Sequence, residues 1–311
     1  MEIGILDDYQ NVSLKLADWS TVAAWAGITV FADHLSDPQA LVARLRRFDI
    51  VCIMRERTPL NRQVLEQLPK LRLIASTGPV NASIDAEAAK ELGIEITHTG
   101  YSSKPTIEMT WAVLLGLARN LVEEAVAVKT GGWQQRLGVG LSGKTLSVLG
   151  LGRIGSEVAR IGVAFGMQVL AWSQNLTADV AHANGAILVS KADLFQRADF
   201  LTIHRILSRR TRGLVDSEML ALMKPTAYLI NLSRGPIVDE GALLAALNEG
   251  RIAGAGVDVF DTEPLPSDHP FRKMRNVLAT PHLGYVTRDM CETFYRDSVH
   301  NIEAWHARNA G

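Results

Sequence analysis

The segment Gly150-Leu151-Gly152-Arg153-Ile154-Gly155 follows an apolar run, Thr145 to Leu149, and leads into helix-forming sequence at Ser156. A strand that turns through glycines straight into a helix belongs to a βαβ unit of a parallel sheet. The glycines permit a tight turn and close approach of a pyrophosphate, while the helix N-terminus supplies N–H groups and the positive end of a dipole. The motif therefore predicts a dinucleotide site along Gly150, Gly152, Arg153, Ile154 and Gly155. The similar Ala253-Gly254-Ala255-Gly256 precedes its predicted strand and reads as a helix-exit loop.

On either side of this motif, short apolar runs alternate with helical periods. Before it come strands over 2–7, 50–54, 71–76 and 94–97, with helices over 41–48, 62–68 and 82–92. After it come strands near 168–172, 186–189, 200–204, 227–232, 256–259 and 277–279, a six-stranded Rossmann pattern with Gly250 capping the helix 240–249. Alternation of this kind predicts an α/β chain with two doubly wound parallel sheets, the Rossmann domain inserted in a flavodoxin-like one. A long apolar helix over 106–120 reads as an interdomain strut, followed by a Gly-rich connection over 130–140. The last helix, 288–307, has no strand left to pair and is expected to return to the first domain. The expected division is 1–98 plus 285–311 for the substrate domain and 99–284 for the dinucleotide domain.

The charge balance is nearly even, 32 basic against 33 acidic residues, which gives no chain-wide field for nucleic acid or membrane. Partners are expected to be small molecules. Cys52 and Cys291 have no metal-type spacing and read as reduced thiols. With no signal-type leader and no long apolar window, a cytoplasmic protein without a membrane span is expected.

An NAD-binding site usually ends its second strand in a carboxylate that accepts the ribose hydroxyls, but this chain has Ser173 in Ala171-Trp172-Ser173-Gln174-Asn175. NAD(P) is the expected cofactor, with NADP(H) used at least as well as NAD(H).

Three further segments stand in order: Asn231-Leu232-Ser233-Arg234-Gly235-Pro236, Asp258-Val259-Phe260-Asp261-Thr262-Glu263-Pro264, and Pro281-His282-Leu283-Gly284. Together with the glycine motif and the domain plan, the chain resembles the D-isomer-specific 2-hydroxyacid dehydrogenases over nearly its whole length. The resemblance implies a hydride moved between NAD(P)H and C2 of a small 2-oxo or 2-hydroxy acid. It assigns His282 as acid/base, Glu263 as the partner fixing its tautomer, and Arg234 as the grip on the substrate carboxylate. The residue types suit the work: the alkoxide left by hydride addition needs a proton donor near neutral pKa, and guanidinium binds a carboxylate with two parallel donors.

The same resemblance nominates Thr77, Gly78 and Val80 as a loop whose Gly78 and Val80 N–H groups cup the carboxylate, with Pro79 standing where a second glycine is commoner. It places Thr106, Leu232, Ser233, Asp258 and Gly284 along the cofactor cleft, Asp258 meeting the carboxamide; a strand-end Asp and a helix-start Thr are the plainer alternatives. His204 becomes a cleft-wall residue, although Arg205-Ile206-Leu207-Ser208 replaces the usual proline-containing pattern. Arg55 and Arg57 resemble an Arg-x-Arg-Thr of 3-phosphoglycerate dehydrogenases: they either read a second anionic group or belong to a solvated loop with a salt bridge to Glu56.

Without a regulatory C-terminal extension, a glyoxylate or hydroxypyruvate reductase is the better match. Glu263 argues against formate dehydrogenase, which carries glutamine there, and the loop lacks the lysine of phosphite dehydrogenase. A dinucleotide-sensing corepressor is the alternative from another class. A homodimer is expected around the helix 106–120 and the Gly-rich arm.

Overall fold

The computed structural model describes residues 1–309, so the last two residues of the expected first domain lie outside it. Two compact units emerge, Met1–Ser102 with Val286 onward, and Ser103–Tyr285. Each is built on an all-parallel sheet.

In the first unit the strands are β1 (Glu2–Ile5), β2 (Gly27–Val30), β3 (Ile50–Ile53), β4 (Leu73–Ser76) and β5 (Glu95–His98), in the order β2-β1-β3-β4-β5. β3 and β4 are buried along their whole length, as expected for central strands covered on both faces. β2 escaped the sequence reading because, at the sheet edge, Gly27 is exposed and its other three residues are only half-buried. The helix expected over 82–92 starts later, at Ala86, because the Asp85 carboxylate caps the Ala88 N–H. The last helix, Arg288–Asn309, packs on β4 and β5 of this unit, burying Phe294, Ile302 and Trp305.

The strand before the glycine motif and the six expected after it make up the second unit's seven: β6 (Thr145–Leu149), β7 (Gln168–Trp172), β8 (Ile187–Leu188), β9 (Phe200–Ile203), β10 (Tyr228–Asn231), β11 (Gly254–Val257) and β12 (Val277–Ala279). Their order is β12-β11-β10-β9-β6-β7-β8. The seventh strand, β12, extends the Rossmann order at the β11 edge. From β6 the chain runs outward to β7 and β8 and then returns to β9 on β6's other side. The carboxyl ends of β6 and β9 thus form a topological switch point, where open α/β sheets bind ligands.

Two readings change here. Gly254-Ala255-Gly256 is no exit loop but β11 itself, and a Cβ on Gly256 would meet Val113 Cγ1 at 2.2 Å. The long apolar helix spans Lys104–Ala118 and lies within this unit, its Trp111, Val113 and Leu114 packed into the sheet core. Its all-round apolarity comes from that burial. Asn120, in the left-handed region at φ 51°, turns the chain into a further helix, Leu121–Lys129, that the sequence reading missed. Among the described residues, no helix is long and apolar enough to cross a membrane.

Candidate active site

β10 delivers the first segment. The Asn231 side chain accepts from Ser233 N at 3.0 Å and donates to Arg234 O at 3.0 Å, while Ser233 Oγ donates to the Ile203 carbonyl at 2.7 Å. The turn carrying Arg234 is thereby tied to the ends of both β10 and β9. The hydroxyl of Ser233 is engaged by that bond. Next comes Gly235, where a Cβ would stand 2.1 Å from the Phe260 carbonyl carbon. Only glycine lets the Arg234 turn press against the loop that holds Glu263.

That loop follows β11. Glu263 Oε1 accepts from Phe260 N at 2.9 Å, and Oε2 lies 2.6 Å from His282 Nδ1. Burial pushes the Glu263 carboxyl up, but the hydrogen bond and charge of His282, the Phe260 N–H and the Arg234 charge outweigh it and hold the group below its usual 4.5. The carboxylate is ionised at neutral pH. Its contribution to stability is fully present above 4.5 and is lost as pH falls through its lower folded value.

His282 itself sits at φ 53°, a left-handed conformation that costs a non-glycine residue on the order of 1 kcal/mol. Asp258 holds it there. Its fully buried carboxylate accepts from Thr280 Oγ1 at 2.6 Å, Leu283 N at 2.7 Å and Gly284 N at 2.8 Å, clamping the turn on both sides of the histidine. Both Asp258 oxygens are therefore committed to that turn, which favours the strand-end reading over a carboxamide acceptor. Burial raises its carboxyl above the usual 3.8, against those hydrogen bonds. Tyr285 meets the imidazole edge-on at 5.5 Å. Thr106 lies buried beside Gly284, where a Cβ would come within 3.6 Å of its methyl.

At the glycine motif, Gly150 has φ 106° and Gly155 faces the Gly150 carbonyl so closely that a Cβ would stand 2.0 Å away. The helix opens at Arg153, earlier than the Ser156 expected, with Gly152 at its N-cap and no side chain capping its first N–H groups. A Cβ on Gly152 would meet nothing within 4 Å. Uncapped donors, an open backbone approach and a dipole end fit a dinucleotide pyrophosphate. Ser173 follows β7 directly and is half-buried, with Gln174 and Asn175 exposed beside it. His204 bonds Thr202 Oγ1 at 2.9 Å, and burial pushes it down to about 3, so its imidazole is neutral.

The residues nominated in the first unit are held more tightly than expected. Gly78 N–H donates to Thr99 Oγ1 at 2.8 Å, which removes it as a carboxylate donor and leaves Val80 N–H of the two proposed. Thr77 is buried, its hydroxyl accepting from Arg55 N at 2.8 Å. Arg55 reaches the Thr77 carbonyl at 3.2 Å and packs on Gly78; its contact with Glu56 is long, 3.5 Å. With 13% of its side chain exposed, it is not in a solvated loop. Arg57 donates to the Asp7 carbonyl at 2.7 Å and lies over Tyr9.

Residues 111–284 match the D-isomer-specific 2-hydroxyacid dehydrogenase NAD-binding domain. A glyoxylate reductase of Aeropyrum pernix is 44% identical over 73% of this chain and 70% of its own. The chain belongs to the D-isomer-specific 2-hydroxyacid dehydrogenase family. It is an oxidoreductase of that family, built to move a hydride between a nicotinamide dinucleotide and a 2-hydroxy or 2-oxo acid. A D-3-phosphoglycerate dehydrogenase of Methanocaldococcus jannaschii is 38% identical over 81% of this chain but only 48% of its own length. A phosphoglycerate oxidoreductase from Vibrio cholerae o395 superposes with a TM-score of 0.93 at 35% identity, covering 99% of both chains.

Within this dehydrogenase, the second unit brings Arg234, Glu263, His282, Asp258, Thr106 and Gly284 into one neighbourhood at the carboxyl ends of β10, β11 and β12. Asn231 and Thr280 were missed as supports. Their one signal was adjacency to the motifs, since neither side chain has a distinctive spacing of its own.

Proposed function

We propose that this dehydrogenase reduces glyoxylate, hydroxypyruvate or a similarly small 2-oxo acid to the D-2-hydroxy acid. The observation that carries the reading is the Glu263–His282 pair at 2.6 Å. With Nδ1 occupied by an ionised carboxylate, Nε2 is the ring nitrogen left to donate a proton. The dinucleotide, when bound, supplies the hydride. Arg234 grips the substrate carboxylate and polarises the carbonyl, and His282 gives its proton to the C2 oxygen as that oxygen gains charge. Neighbouring Glu263 stabilises the imidazolium that must be present before transfer. The names of the similar proteins from Aeropyrum pernix and other archaea support the small substrate. Engagement of Arg55 and Arg57 with backbone carbonyls argues against a phosphorylated one. The test is loss of nicotinamide absorbance with glyoxylate, hydroxypyruvate and 3-phosphohydroxypyruvate. No turnover of any 2-oxo acid, alongside tight nucleotide binding, would replace the enzyme by a nucleotide-sensing protein.

Cofactor choice follows from Ser173, which offers a hydroxyl where a carboxylate would repel the 2′-phosphate of NADP. NADPH is expected to give a kcat/KM at least equal to that of NADH, and Ser173→Asp to shift the ratio toward NADH. A native preference for NADH above about 100-fold, roughly 2.7 kcal/mol, would refute it.

The chain is further proposed to act as a cytoplasmic homodimer. Leu121, Val122, Val126 and Val128 are exposed on one helix, and the arm that follows exposes Trp133 (76%) and Leu137 (98%). So much apolar surface on one helix and its neighbour suits a second copy of the same patch. Light scattering at micromolar concentration is expected to give twice the chain mass, and Trp133→Glu with Leu137→Glu to give a monomer. Monomeric wild-type protein would defeat the proposal.

A further inference from the structure

Arg205 departs from the family pattern after β9, and the structure puts its side chain in an unusual position. β6 and β9 pair side by side, and His204 N continues the pairing to the Leu149 carbonyl at 2.9 Å, so the next residue emerges over the turn that leaves β6. A Cβ built on Gly150 would stand 2.7 Å from Arg205 Cδ. The stem of Arg205 thus lies across the first glycine of the phosphate-binding turn.

Its charge has no partner there. Arg205 Nε is fully buried with no hydrogen-bond acceptor, the residue is only partly exposed, and among the described residues it forms no ion pair. Neighbouring arginines are treated differently: Arg212 shares an open recess with Asp239, Glu240 and Asp261, while Arg209 and Arg210 are exposed. Burying the Nε–H of a guanidinium without an acceptor opposes folding. Such a group is retained where an anion completes the site.

We infer that Arg205 binds the pyrophosphate of the dinucleotide, adding a charged side-chain contact to the N–H groups of the glycine turn. This rests on the dinucleotide reading above. The pyrophosphate is the anion that the turn after β6 receives, whereas a 2′-phosphate would lie at the end of β7, beside Ser173 and on β6's other side. Arg205 acts here on affinity and leaves the proton chemistry of His282 untouched.

The test is Arg205→Met, which keeps the stem and removes the charge. Dissociation constants for ADP-ribose, 2′-phospho-ADP-ribose and adenosine are measured by calorimetry, and the unfolding midpoint is measured without nucleotide. Both pyrophosphate ligands are expected to weaken about tenfold or more, the worth of one charge-assisted contact, with adenosine unchanged. The nucleotide-free midpoint is expected to stay or rise, because an unpaired cation has gone; a merely structural arginine would lower it. Unchanged ADP-ribose affinity overturns the inference, and so does a loss confined to the 2′-phosphorylated ligand. Wild-type protein that binds neither pyrophosphate ligand overturns the dinucleotide reading and this one with it.

Discussion

Replacing His282 with alanine is expected to lower kcat by about 100-fold or more while leaving dinucleotide affinity nearly unchanged. The size follows from general acid catalysis, which typically contributes that much when a positioned group protonates an oxygen as it gains charge. The selectivity follows from position. His282 stands on the turn after β12, held by Asp258 and Glu263, whereas the dinucleotide's phosphates are assigned to the turn after β6. Single-turnover rates and nucleotide fluorescence titrations on the same preparation separate the two quantities. An alanine variant with near-native turnover removes His282 from the chemistry. The substitution leaves the backbone strain in place, since alanine at φ 53° is no better placed than histidine, and it removes the carboxylate partner. A small change in stability is therefore compatible with the expectation, and a large loss of nucleotide affinity is not.

Arg234→Ala is expected to reduce kcat/KM by roughly 100- to 10,000-fold, with KM raised and kcat lowered together. Two charge-assisted hydrogen bonds to a carboxylate are worth about 1.5 to 3 kcal/mol each, and each 1.4 kcal/mol is tenfold. Both parameters move because the same guanidinium binds the substrate in its ground state and stabilises the charge that develops on C2 oxygen. Arg234→Lys separates charge from geometry: a point charge without the planar fork is expected to restore only part of the loss. The backbone bonds of Asn231 to residues 233 and 234 do not involve this side chain, so the turn should survive the change. Kinetics of either variant indistinguishable from wild type would show that Arg234 does not meet the substrate.

The proposed catalytic trio could be nominated from the sequence because each member lies inside a short segment whose neighbours do local work. Gly235 is needed for contact with Phe260, and Pro281 to Gly284 form one tight turn, so the motif and the residue it presents travel together. The substrate loop was less legible. Whether Gly78 N–H is available depends on Thr99, 21 residues away on the segment after β5, and no spacing rule marks that partner. The glycines at 254 and 256 were misread for a related reason. Gly before a strand and Gly within one look alike in sequence, and at Gly256 the helix Lys104–Ala118 that demands the missing side chain is more than a hundred residues upstream.

By itself the sequence determined the alternation of strands and helices and singled out the glycine turn and the segments that carry Arg234, Glu263 and His282, because these depend on residues within a few positions of one another. Periodicity, turn chemistry and helix capping act over that range and leave readable marks. Only the tertiary structure decided that Asp258 holds the histidine turn, that His282 takes a left-handed backbone, that Leu121–Lys129 carries the exposed apolar surface and that Arg205 lies unpaired across Gly150. Each of these is set by which distant segments meet. A buried polar group must find its partner wherever the fold brings one, and that choice is made in three dimensions.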